Sequence, residues 1–593
     1  MALQSNVQIY IGGSQIPAFT NLILDQEIDA HHTFELVCRR DVLEQHQNDL
    51  NDESNDYLGK IFVLTISSLD TINAYKELKF KGIVTEVTST RGFLYQGGDF
   101  ITITGKSCSI LADDGPHFAS FSDADLASIL DSSFQPYDRS KLKSTVAPRF
   151  THPLHYCVQN GESSFQFASR LAAQYGEWYY YDGESLVFGA PKQDAQIHLS
   201  YGQDLQEFSR RLKPESGNYS FFTNDYLSDQ SHEVTTQDVS SGINGYNGLA
   251  SEKSSEMYPQ TTKVFVNTYN DAQIKQRLDA LVKSQKKALE VQQVSITGTS
   301  DNPGVSLGKV VKIANGGENY ELRITRIRHE ASENGRYVNS FEGISTQQEA
   351  YPKTDILKYP TSNNQVAIVT DNVDPDGLSR IKVQFHWQKP LGQETPWLRL
   401  MTPHAGGEKG FHFIPEIGEE VLVGFEGGNA ERPFVLGTLY NGSANPQSWK
   451  TDKNNVKAIR TRSGHTIEFN DTEGAEFITI IDKNQNLINI DTASNNITIT
   501  ALETMCFNAK NIEINASENI SVGAGRNIGT SSGNSTTLMA KDISQIADND
   551  LKVFSKNSVH SADEVKIHSN ANNLTLFSGA SVDLQSNDKV KLF

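Results

Sequence analysis

At 593 residues the chain is long enough for several domains of ordinary size. Charged residues make up 21% and hydrophobic ones 37%, and no run approaches the ~18–20 apolar residues of a membrane-spanning helix, which excludes a helical membrane protein. The net charge of -20 argues against a nucleic-acid partner, because phosphate binding calls for clustered Lys and Arg.

The elements, taken in chain order, are mainly strands. Residues 7–11, 61–66, 80–88 and 100–104 are short, β-branched or alternating runs set between polar or Gly-bearing turns, a spacing that predicts barrels or sandwiches. The start, MALQSNVQIYIGGSQ, has no basic segment followed by an apolar core, so synthesis in the cytoplasm without a cleaved signal is expected. Helices are few. Ser122 is placed to cap one over residues 123–131, with Asp125 three residues later. Ser163 and Gln166 form a capping-box pattern ahead of Phe165, Ala168, Ala172 and Tyr175, and Gly176 is placed to end that helix. The aromatic run Trp178 to Tyr181 precedes Asp182-Gly183, a hairpin signal, so barrel packing is expected for it rather than a carbohydrate platform. A further helix fits 271–289, with Ile274, Leu278, Leu281 and Leu289 on one stripe.

Beyond residue 360 five strand-like runs follow in about 80 residues: 365–370, 379–387, 396–401, 419–426 and 433–440. They fit a small Greek-key barrel of the OB type. In the second run Ile381, Val383, Phe385 and Trp387 alternate with Arg380, Lys382, Gln384 and His386, which predicts one buried and one wet face.

From about residue 460 the texture turns rich in Asn, Ser, Thr and Asp, with apolar residues paired two apart, such as Ile488/Ile490, Ile497/Ile499, Ile512/Ile514, Leu574/Leu576 and Val590/Leu592. The pairs often recur at eight, as at Ile512, Ile520 and Ile528, or Leu551, Val559 and Ile567, with breaks at 500–510 and 529–545. Such a repeat predicts a stacked β structure in which each unit supplies one short strand and one turn. A single chain of this kind leaves its apolar face and its strand edges open, so three chains wound about one axis are expected.

Two stretches resemble the VgrG family of type VI secretion spikes. The first, 150–183, carries Tyr156, Gln159, Gly161, Glu162, Ser163, Arg170, Leu171, Ala172, Gly176 and the aromatics 179–181. The second, 379–442, carries Pro415, Gly418, Glu420, Val421, Leu422, Val423 and Phe425, then Arg432, Pro433, Gly437, Leu439, Tyr440 and Asn441. Residues 459–480 look like the neck of the same family. The resemblance implies a mainly β chain in three parts. Residues 1–360 form a tail-hub-like region of two β-barrels with inserted helices, 361–445 an OB-fold collar, and 446–593 a neck and trimeric β-helix needle. It also implies a homotrimer that caps the Hcp tube, docks on baseplate proteins, carries a PAAR-repeat tip and effectors with their chaperones, and meets the target membrane mechanically. The alternatives are the hub-spike of a contractile phage tail or tailocin, and a wall-degrading enzyme.

No cofactor or catalytic residue is expected. Only about 18 residues separate Asn441 from Ile459, too few for an inserted domain, and the chain stops at KVKLF, leaving no expected room for an appended effector. GESSF at 161–165 reads as a helix cap rather than a nucleophile turn. Glu416, Glu419 and Glu420 read as a solvated face, and His152 and His155 as strand histidines. Cys38, Cys108, Cys157 and Cys506 lie far apart and read as buried free thiols. No metal site is expected; His560 and His568, one octad apart, would each form a ring of three in a needle, an arrangement able to bind a metal. Their neighbours Val559 and Ile567 take apolar places, so both histidines are expected to point outward. Tip contacts are expected at Val590, Leu592 and Phe593.

Overall fold

The computed structural model describes residues 5–43, 54–69, 76–91, 98–192, 195–315 and 318–591. Its chain divides into two units, Met1–Lys457 and Ala458–Phe593.

The first unit is organised by one thirteen-stranded sheet. The expected strands are there, extended at their ends to Ser5–Ile11, Ile61–Ser68, Glu77–Thr90 and Phe100–Ser107. Ile61–Ser68 and Phe100–Ser107 alternate strictly, every second residue being buried, because successive side chains of a strand point to opposite faces. Two sets of strands share this ladder. One lies within 5–107 and the other within 197–345. They join where Asn21–Glu27 pairs antiparallel with Glu318–Ser332, from Asn21↔Ser332 to Glu27↔Arg326.

Helices Gly245–Met257 and Ile274–Gln292 pack against this sheet, whereas Leu126–Phe134 and Ser164–Tyr175 pack on smaller sheets of the same unit. The capping box is present: the Ser163 hydroxyl accepts from the Gln166 amide at 3.1 Å and the Gln166 side chain accepts from the Ser163 amide at 3.3 Å. The helix Ser164–Tyr175 ends at Gly176 with φ of 69°, a left-handed turn that a Cβ disfavours. The other expected cap is displaced. Ser122 lies within the strand His117–Ala124, and Asp125 caps the helix Leu126–Phe134 by accepting from the Ser128 amide at 2.8 Å. A carboxylate held in β geometry reaches the third amide as well as a serine would, and strand pairing of Ser122 with Tyr156 claims the serine instead. The helix expected at 271–289 spans Ile274–Gln292, with Ile274, Leu278 and Leu281 buried and Leu289 half-buried. A helix at Gly245–Met257 has no apolar stripe to announce it.

The collar sheet runs Lys382–Phe385, Gln365–Asp371, Glu420–Phe425, Pro433–Leu439. Residues 396–401 add only bridges, Ile381↔Leu398 and Leu400↔Val435. Its core is Ala367, Val369, Ile381, Val383, Phe385, Leu398, Val421, Val423 and Val435. Arg380 departs from the expected wet face. It is buried, because Asp374 of the preceding turn takes its guanidinium with Nε and Nη2 at 2.9 and 2.7 Å, and Asp376 takes Nη2 as well. Those bonds hold the Asp374 carboxyl well below its usual range.

The second unit begins as an antiparallel meander of Val456–Arg460, Thr466–Asn470, Phe477–Ile481, Leu487–Asp491 and Asn496–Thr500. Here Ile488/Ile490 and Ile497/Ile499 pair across strands, Ile488↔Ile499 and Ile490↔Ile497, instead of opening the octad repeat. Residues 502–591 follow as segments that form neither helix nor strand ladder, separated by bends ending at 503, 510, 518, 526, 534, 541, 549, 556, 563, 572, 580 and 588. The interval of seven to nine continues through 500–510 and 529–545, where the sequence pattern breaks. Among the described residues this stretch has no strand ladder, and its side chains are exposed.

A buried ionic joint as candidate functional site

The two motif stretches meet in space. Gly161 takes φ of 72° at a register shift in the strand pairing of Leu154–Glu162 with His117–Ala124. That bulge delivers Glu162 to the following helix, where Arg170 sits almost without solvent contact. The Arg170 Nε donates to Glu162 Oε1 at 2.7 Å and Nη2 to Glu162 Oε2 at 3.0 Å. Nη2 also donates to the Val158 carbonyl at 2.7 Å. Nη1 donates to Gln174 Oε1 at 3.4 Å and to Glu431 Oε1 at 3.3 Å. A guanidinium has five N–H donors, so every one has an acceptor.

Glu431 comes from the collar and is as buried as Arg170. It also accepts from the Val158 amide at 3.2 Å. Burial raises its pKa although Arg170 opposes the shift. For Arg170, burial alone would lower the pKa, but Glu431 and Glu162 together raise it. A buried charge stays tolerable only when paired and hydrogen-bonded, and this one is anchored from both sides of the joint.

Arg432 repeats the arrangement. It is buried, donates Nη1 to the Thr268 carbonyl at 2.7 Å and Nη2 to Asn270 Oδ1 at 3.2 Å, and pairs with Glu426. Asn429 donates to the Asn267 carbonyl at 2.8 Å. Gln388, fully buried, donates to Ser120 Oγ at 2.7 Å and to the Tyr156 hydroxyl at 3.3 Å. Tyr156, Val158 and Ala430 form an apolar patch with Trp387 packed against it. Such contacts fix orientation as well as adhesion, since these hydrogen bonds are directional.

Catalytic candidates resolve into structure. The Ser163 hydroxyl caps its helix and donates to Asp113. A chain of Ser109, His31 and Asp113 has the connectivity of a nucleophile triad, with His31 Nδ1 2.8 Å from Ser109 Oγ and Nε2 3.3 Å from Asp113. Ser109 has no exposed surface, so no substrate reaches its hydroxyl. Glu419 accepts from the Glu416 amide and Glu420 from Asn441. His155 contacts Asp123 at 3.1 Å, while the His152 ring packs on Phe150. Within one chain no group of three or more metal-ligating side chains assembles among the described residues. Trp178 to Tyr181 are wholly buried. The cavity at the joint, lined by Tyr226, Trp397 and Arg432 among others, is about 50 Å³, well below the ~300 Å³ of a small-molecule site.

Three cysteines are buried and free, and burial pushes the Cys38 thiol up to about 12. Cys506 is exposed, contrary to expectation, because it lies in the open stretch. Val590 is half-exposed, and Leu592 and Phe593 lie outside the described residues. No helix among the described residues is long and apolar enough to cross a membrane.

Comparison with known proteins agrees with this architecture. Residues 365–440 match the type VI secretion system/phage-baseplate injector OB domain. The type VI secretion system spike protein VgrG1c of Pseudomonas aeruginosa is 23% identical over 377 residues, covering 56% of this chain and 50% of that protein. The actin cross-linking toxin VgrG1 of Vibrio cholerae is 25% identical over 358 residues, 53% of this chain and 31% of that protein. The chain thus spans about half the length, or less, of these relatives. Among solved structures, the half-lidded Francisella PdpA–VgrG complex aligns with a TM-score of 0.54 at 8% identity, covering 84% of this chain and 88% of that one, a likeness of fold. Residues 26–335, more than half the chain, match the model of the phage tail baseplate hub, and the chain belongs to that family.

Proposed function

We propose that this chain is the non-enzymatic hub and spike of a type VI secretion machine, assembled as a homotrimer. The observation that carries the reading is the open apolar face of residues 466–591. In the meander, Ile467, Ile480, Ile488 and Ile499 line up across four strands, as do Phe469, Ile478, Ile490 and Ile497. Most of these are substantially exposed in the single chain, as are the octad residues beyond. Each such side chain forgoes roughly half of the ~1.5–3 kcal/mol of full burial until covered, and backbone without a ladder leaves its amides to water. Two further copies wound on the same axis supply both apolar cover and strand partners.

In this reading the hub caps the Hcp tube and docks on the baseplate, the collar transmits axial load through the Arg170 and Arg432 joints, and the needle carries a PAAR-repeat tip at Val590 together with effectors and their chaperones. The protein is made in the cytoplasm and exported by the machine. The hub family model is named for phage tails, which favours a phage tail or tailocin hub-spike as the second reading. Light scattering on the full chain tests the first step: three chains per particle support it, and a monomer overturns it. Co-purification with a hexameric tube protein from the producing cell then separates secretion machine from phage tail.

A further inference from the structure

The extended stretch has two faces even in one chain. From Ile512 to Val590, sixteen large apolar residues fall two and four places after a bend and are 49–73% exposed. Five others, Met539, Ile546, Phe554, Val559 and Phe577, are 87–91% exposed. The first class marks the inner face and the second the outer. Val559 belongs to the outer class, which overturns the expectation drawn from an unbroken octad.

The bends ending at 549, 556, 563 and 572 explain it. The inner pairs step from Leu551/Val553 by seven to Ser558/His560, by seven to Val565/Ile567, and by nine to Leu574/Leu576. Two short steps move His560 inward and Val559 outward. The Ser558 hydroxyl lies 3.1 Å from His560 Nε2, as befits two side chains of one face. His568 follows the inner Ile567 and so falls between inner positions. The inner positions are otherwise polar only at Thr530, Thr536 and Gln545, so the sole ionisable inner side chain in this stretch is an imidazole.

We propose that the three His560 side chains of the assembled needle converge on its axis and bind one divalent transition-metal ion of the zinc class. The inference rests on the trimeric needle. Leu551 and Val553 on one side and Val565 and Ile567 on the other keep the layer dry, and an imidazole nitrogen buried there without a partner is costly. Three imidazoles around a threefold axis supply three nitrogen ligands and leave a fourth position for water. Ser558 bonds each ring and sets its orientation, the part that outer groups play in metal sites. The ion joins all three chains at one level and locks their register.

The test uses the full-length, untagged protein, stripped with chelator and titrated with Co²⁺, whose visible spectrum reports nitrogen ligation. Particle mass is measured for every variant. The expected result is one ion per three chains in the wild type and in His568→Gln, background metal in His560→Gln, and roughly tenfold weaker binding in Ser558→Ala. A trimer that binds no cobalt, or a His560→Gln trimer that still binds it, overturns the site and leaves the needle standing. A monomeric wild type overturns the needle and the site with it.

Discussion

The two units handle apolar residues in opposite ways. Residues up to 457 bury theirs within the chain, in one large core under the hub sheet and a second inside the collar. Residues from 458 onward keep theirs open, yet sorted by face. The first pattern is that of a domain stable by itself. In the proposed trimer, copies of the chain complete the core that the second leaves open. The presence of Ile, Val and Leu does not separate them, since both contain these residues in quantity. Contact order does: hub strands pair residues some 300 positions apart, as in Arg328↔Asp25, whereas residues 502–591 make no ladder at all among themselves.

The sharpest way to break this contrast is a charge on the inner face. Ile520→Asp sets three carboxylates against one another in an apolar layer, and the particle mass is expected to fall from three chains to one while the hub's thermal unfolding stays put. Phe577→Asp, on the outer face, should leave the mass unchanged and stability within about 0.5 kcal/mol. Next in size is the joint. Arg170→Ala strands Glu431 in a buried site and should cost about 3–5 kcal/mol in denaturant unfolding of the hub and collar.

Acid supplies a third test, confined to the hub. Burial holds the His32 and His329 imidazoles down to about 3, and Gln26 bridges them at 3.0 and 3.1 Å. An unfolded chain binds protons at these groups below ~6.5, so the stability they contribute is full above that pH and is lost as pH falls toward 3. Each should cost about 2 kcal/mol by about pH 5. Equilibrium unfolding across that window reads the slope, and His329→Gln should remove half of it. Smallest is the helix cap: Asp125→Ala should cost about 1 kcal/mol, and Ser122→Ala less than about 0.5 kcal/mol, by thermal melting.

Much of this was legible beforehand. Alternation marked the hub strands, the Ser163/Gln166 pair marked its helix, and the motif stretches 150–183 and 379–442 drew attention to the residues that build the joint. Their meeting was not legible. Arg170 and Glu431 lie 261 positions apart, and nothing local in either segment names its partner. The helix Gly245–Met257 was missed because its buried residues, Asn247, Ala250 and Ser254, are small or polar and leave no stripe.

The division follows from range. Period, turn chemistry and capping act over a few residues, so the sequence by itself determined the mainly β character, the change of texture near 360 and 460, and the paired apolar repeat. Which face a residue finally takes depends on how many residues each bend consumes, and seven and eight are indistinguishable in a degenerate run. Only the tertiary structure decided that Asp125 rather than Ser122 caps its helix, that Arg380 is buried, and that the bends of the last stretch are unevenly spaced.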